Sequence, residues 1–187
     1  AFGGTVNTGG YASYFAFVFS AGALLVTLLS LAYLPKQQTV FTEYYILLLS
    51  AVTGMMVMAA SNDLVVFFLG LETMSVAFYA LAGFTRTSKS SNESAMKYFL
   101  LGAFATGFLL YGMALVYGTT QSTSIAVLRS TAAAHATEPL FVIGLGLLLV
   151  GFVFKIAAVP FHMWVPDVYE GAPTMVSGLM STGGKAA

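Results

Sequence analysis

Residues 147–187 read LLLVGFVFKIAAVPFHMWVPDVYEGAPTMVSGLMSTGGKAA, and the rest of the chain is organised around them. An apolar run carries Lys155 near its far end, and Pro160 interrupts that run. The aromatic and polar passage FHMWVPDVYEGAP then leads into a second apolar run, which reaches Lys185. Proline has no N–H to give, so the carbonyl of Ile156 loses its helical partner and the helix is expected to break at Pro160. Such a break is tolerated at membrane depth only where protein or a water-filled cavity satisfies the freed groups. Two lysines in membrane-grade sequence, one beside a broken helix, form the kind of site that a proton-moving membrane protein requires.

Composition supports that reading. Charged residues make up 7% of the 187-residue chain, hydrophobic ones 58%, and the mean hydropathy is +0.87. A soluble domain is about a quarter charged, so the chain is read as an integral membrane protein. A net charge of +0 offers no basic face, which argues against a nucleic-acid partner. Cysteine is absent, which excludes disulfides, iron–sulfur clusters and thiolate zinc sites in this chain. The two histidines, His135 and His162, lie far apart and do not read as a metal site. The opening AFGGTVNTGG lacks the basic run and short apolar core of a signal peptide. The chain stops at Ala187 inside an apolar segment, so both ends read as those of an internal portion of a longer protein.

Spanning helices need about 20 mostly apolar residues. The expected fold is all-α, a polytopic transmembrane helix bundle forming a single domain over residues 1–187. Residues 11–34 supply the first span, which ends in a polar turn at Pro35 and Lys36. Residues 43–60 and 64–84 supply the next two, separated by the turn formers Ser61, Asn62 and Asp63. The loop TRTSKSSNE precedes a fourth span at 94–118. Residues 119–139 form the longest polar connection, with a short amphipathic piece near 125–128. The fifth span covers 140–159 with a short broken half at 161–168, and an incomplete sixth covers 174–187. Alternating the loops puts Lys36, Arg86 and Lys89 on one side, against Arg129 and Asp63 on the other. The positive-inside rule makes the first side cytoplasmic.

Glu72 lies in FFLGLETMSV, roughly 12 Å from the start of the third span. Charge at that depth costs about 2.5–3.5 kcal/mol even on the gentler insertion scales, and the side chain is too short to snorkel. It reads as an ion-pair partner or proton carrier facing the bundle interior, or else as a structural carboxyl. Lys155 meets opposing influences: burial disfavours its charge, while the free carbonyls of a half-helix end favour it. Lys185 follows Gly183 and Gly184, where small residues admit a neighbouring helix. Lys97 begins the fourth span and either anchors it or takes part in proton transfer. His162, beside the break, either shuttles protons or bonds the broken backbone. Trp164 and Tyr169 fit an interfacial belt. Asp167 and Glu170 read as braces for a loop or helix end, and His135 as a solvated loop residue. Asp63, Glu43 and Glu93 read as solvated charges at span ends.

The passages DLVVFFLGLETMSVAFYALAGF, ESAMKYFLLGAFATGFLLYGMALVYG and FKIAAVPFHMWVPDVYEGAPTMVSGLMSTGGKAA together resemble the antiporter-like membrane subunits of respiratory complex I, NADH:quinone oxidoreductase. The DVYEGAP form of the loop is most similar to the subunit N branch, subunit 2 in mitochondria. The resemblance covers the chain from about Glu43 onward. It implies a family fold of about fourteen helices, with two inverted repeats that each hold one broken helix. This portion would run from the third helix to the start of the eighth. The resemblance matches Glu72 to the glutamate of the fifth helix, and Lys155 to the lysine of the broken seventh. Lys185 matches the lysine of the eighth helix, and Lys97 one at the start of the sixth. It further implies a proton-translocating role coupled to quinone reduction elsewhere in the complex. NAD, FMN, iron–sulfur clusters and quinone would belong to partner subunits, with subunits M and K as neighbours. A bacterial inner membrane is the expected location, an organellar inner membrane or thylakoid the alternative. Two rivals share the fold: a subunit of a multisubunit sodium/proton antiporter, or one of a membrane-bound hydrogenase. A third reading is a structural membrane subunit that does not pump.

Overall fold

The fold was analysed in a computed structural model that describes residues 2–36 and 42–187. Ala1 and the connection after Lys36, residues 37–41, lie outside the described residues. A short 3-10 turn, Phe2–Gly4, is followed by α1 (Gly10–Lys36), α2 (Thr42–Ala60), α3 (Leu64–Ala82) and α4 (Lys89–Thr120). Then come α5 (Ile125–His135), α6 (Pro139–Lys155), α7 (Val165–Gly171), α8 (Thr174–Ser181) and α9 (Gly183–Ala186). No strand occurs among the described residues. Four helices, α1 to α4, are long and apolar enough to cross a membrane. The all-α transmembrane bundle expected from composition is what the chain forms.

Several bounds differ from the sequence reading, each for a local reason. Helix α4 starts at Lys89 rather than 94, because the Ser88 side chain accepts from the Ser91 N–H and caps it. The amphipathic piece expected near 125–128 is the full helix α5, which ends at His135. The expected sixth span is two short helices divided at Thr182, just before the poor helix formers Gly183 and Gly184. Asp63 is buried, contrary to the expectation of a solvated charge. Its carboxylate accepts from the N–H groups of Val65 and Val66 at the start of α3, and from Thr123 Oγ1. That arrangement caps α3 and ties the 61–63 turn to the segment ahead of α5.

Two helix pairs make the most extensive contacts, α2 with α3 and α4 with α6. Both cross through glycine, which lets backbones approach in the absence of a hydrophobic drive between helices in lipid. A Cβ built on Gly54 would lie 2.5 Å from Met74 N and 2.6 Å from Gly70 O. On the other pair, a Cβ on Gly112 would lie 2.7 Å from both Gly144 O and Leu148 N. Those neighbours are backbone atoms and cannot rotate away. Gly54→Ala is therefore expected to destabilise the full-length protein by about 1–3 kcal/mol. A drop in its midpoint for thermal unfolding in detergent is the check, with Gly22→Ala, which meets open space on α1, as the control.

Candidate functional site

Helix α6 begins with Pro139 at its first position, where a missing N–H costs nothing. Its 17 residues rise about 25 Å, short of a hydrocarbon core of about 30 Å. The sequence placed the break at Pro160. The helix instead ends at Lys155, about one turn earlier, and residues 156–164 form turns. A continuing helix would drive the Pro160 ring into the carbonyl of Ile156, and the residue before a proline avoids helical angles. The chain leaves early, with Ala157 in the left-handed region at φ 59. Ala157 N–H bonds the Phe154 carbonyl and Ala158 N–H the Val153 carbonyl, each at 3.0 Å. This is the paired closure that commonly ends helices, here with alanine where glycine is usual.

Lys155, the last residue of α6, reaches across to α3. Its Nζ donates to Ser75 Oγ at 2.7 Å and to Tyr79 OH at 3.3 Å, and lies 3.8 Å from Glu72 Oε1. Glu72, Ser75 and Tyr79 sit at helical spacing on one face of α3, which turns all three toward the same lysine. Thr106 Oγ1, from α4, donates to Glu72 Oε1 at 2.9 Å. The carboxylate thus has one hydrogen bond of its own and stands just beyond hydrogen-bond distance from the ammonium. The lysine side chain is 11% exposed and the glutamate 26%. A Cβ at Gly102 of α4 would collide with the Tyr79 hydroxyl, so glycine there makes the room that Tyr79 occupies.

Lys185, from α9, donates through Nζ to the backbone carbonyl of Lys155 at 2.7 Å. The same Nζ lies 4.8 Å from the Trp164 ring centre. Both lysines line one cavity of about 330 Å³, whose other walls include Met74, Phe78 and Met180. That volume has room for several waters, each of which takes about 30 Å³ in the liquid.

The structure brings Glu72, Lys155 and Lys185 into one contact chain and leaves Lys97 and His162 outside it. Lys97 is paired on the surface with Glu93 at 2.8 Å and Asp167 at 2.6 Å, so Asp167 braces α7 against α4. His162 is exposed in the turns after α6. His135 closes α5 and pairs with Glu138 at 2.9 Å rather than standing in a loop. Trp164 is buried, stacked against Tyr98 and Phe154. Ser75, Tyr79 and Thr106 were missed in the sequence. The signal that pointed to Ser75 and Tyr79 was their spacing from Glu72 on one face of α3. Among the described residues no three His, Asp or Glu side chains gather where a metal ion would sit.

Thr106→Val removes the donor to Glu72 and leaves a partly buried carboxylate oxygen without its hydrogen bond. A cost of about 1–3 kcal/mol is expected, and Thr106→Ser is expected to restore it. Thermal unfolding of the detergent-solubilised full-length protein measures both.

The family described as "NADH:quinone oxidoreductase/Mrp antiporter, TM" matches residues 61–187. NADH-quinone oxidoreductase subunit N 1 of Chloroherpeton thalassium is 51% identical over 187 residues, covering 100% of this chain and 39% of its own length. Among solved structures, respiratory complex I from Thermus thermophilus with bound aureothin contains a chain that is 39% identical. It superposes with a TM-score of 0.78 over 98% of this chain and 40% of that one. An archaeal respiratory complex, the membrane-bound sulfane sulfur reductase, contains another at 27% identity and TM-score 0.82, covering 96% and 37%. The chain spans about two fifths of the length of the curated relatives it matches. Similarity extends through the first forty residues as well as the region from Glu43 onward.

Proposed function

The chain belongs to the NADH:quinone oxidoreductase/Mrp antiporter family of membrane proteins, and from that premise we propose that its full-length protein is a proton-translocating membrane-arm subunit of an NADH:quinone oxidoreductase. The observation that carries the reading is the contact chain from Glu72 through Lys155 to Lys185. A carboxylate close to the ammonium stabilises its charge, and withdrawal of the carboxylate abandons it in a site where burial already opposes charge. Thr106 already donates to the carboxylate oxygen that faces Lys155, so Glu72 keeps a hydrogen bond if the ammonium draws away. The Lys155 ammonium then gives up a proton to water in the shared cavity, and the neutral amine of Lys185 accepts one. Lys97 and His162 take no step in this scheme.

The chain has no cysteine to hold an iron–sulfur cluster. In this reading NAD, FMN, the clusters and quinone belong to partner subunits, whose redox chemistry drives the carboxylate. The neighbours would be the antiporter-like subunit M and the small subunit K, and the location the inner membrane of a bacterial cell.

The full-length protein, purified gently and run in a native gel, is expected to migrate with NADH dehydrogenase activity. In membranes carrying that assembly, Lys155→Met is expected to lower proton pumping about tenfold or more, the scale of losing a positioned proton carrier. Unaltered pumping from Lys155→Met would favour the structural, non-pumping subunit. A large assembly without NADH oxidation, in vesicles that exchange sodium for protons, would favour the antiporter reading, and hydrogen evolution the hydrogenase.

A further inference from the structure

Trp164 lies beside the contact between the two lysines, bonded to one end of α6 and placed under the Lys185 ammonium. It is 2% exposed, stacked on Tyr98 with ring centres 4.6 Å apart and on Phe154 at 5.6 Å. Its indole Nε1–H donates to the carbonyl of Phe154 at 3.2 Å. The adjacent carbonyl, that of Lys155, accepts from Lys185 Nζ. Indole and ammonium therefore cover consecutive carbonyls at the open end of α6, and the ammonium lies over the indole ring at 4.8 Å. An aromatic face attracts a cation through its quadrupole and gives a neutral amine no comparable pull.

We infer that Trp164 is a positioning residue for proton transfer: its ring holds Lys185 at the end of α6 while that lysine carries charge, and slackens that hold when it does not. The inference rests on the reading of Lys185 as a proton acceptor. It adds a consequence that the ion pair alone lacks. Loading Lys185 with a proton tightens the cap on the broken helix, and unloading it loosens the carbonyl that Lys155 itself carries. Charge state at one lysine and backbone closure at the other are then one event.

The test uses the full-length protein in its assembled complex, with protons pumped per NADH oxidised in membrane vesicles as the readout. Placing mono- to tetrafluorinated tryptophan at position 164 withdraws electron density from the ring face with little change in shape. Pumping is expected to fall with each fluorine, reaching a loss of about two- to tenfold for the fully substituted ring. A flat series overturns the inference. A second arm compares Lys185→Met with Lys185→Met plus Trp164→Leu. A residue that acts through Lys185 adds no further loss once that lysine is gone. An additive loss overturns the inference and makes Trp164 a packing residue. Should Trp164→Leu fail to assemble, the fluorine series decides alone. Normal pumping by Lys185→Met overturns the proton-acceptor reading and the inference with it. A flat fluorine series beside an impaired Lys185→Met overturns the inference only.

Discussion

The carbonyls at the end of α6 have no further helical N–H to meet them, and an unmet backbone oxygen in hydrocarbon costs several kcal/mol. Much of the surrounding structure answers that one constraint. Ile156, Ala157 and Ala158 turn their N–H groups back to Phe152, Phe154 and Val153. The Trp164 indole gives the Phe154 oxygen a second donor, and Lys185 takes the oxygen of Lys155. The lysines are therefore more than charges left in a membrane. One stands at the last position of the helix, and the other completes its cap.

A second consequence concerns the segment after the break. Helix α7 has only 7 residues and cannot hold itself in place. It is fastened to α4 by the Lys97–Asp167 ion pair and by Ser94 Oγ donating to the Val168 carbonyl. Gly171 lets the two approach closely, since a Cβ there would lie 2.5 Å from Ser94 Cβ. These contacts seat the passage that delivers Trp164 to the helix end. The surface ion pair, exposed as it is, contributes little to stability alone. Its place at one end of the fastening gives it a role in geometry.

What was legible in the sequence was whatever membrane composition makes conspicuous. Glu72, Lys155 and Lys185 stand out because charge is expensive there, and Pro160 because it cannot continue a helix. Their meeting was not legible, since residues 72 and 155 sit on helices whose crossing no local pattern specifies. The hydroxyl partners were hidden for another reason. Ser50, Thr53 and Thr73 each donate to the carbonyl four residues back in their own helix, and so does Ser75. Of these four, Ser75 alone also accepts from a lysine, and only its spacing from Glu72 sets it apart. The break was misplaced by about a turn because alanine, at Ala157, adopts a conformation that sequence reasoning reserves for glycine. Asp63 was misread through an average: terminal carboxylates are usually solvated, and this one is buried.

The glycine crossings also bear on the order of events at the ribosome. Helices α2 and α3, joined by the short turn at 61–63, can enter the bilayer as a hairpin that closes through Gly54 and Gly70. Glu72 belongs to that hairpin, whereas Lys155 ends α6, more than eighty residues later in synthesis. The acid therefore meets the membrane before its base has been made, with Thr106 the first partner to arrive. A nascent chain halted before α6 carries into the membrane a carboxyl whose cationic partner has not been made. Only translation of α6 turns that liability into an ion pair.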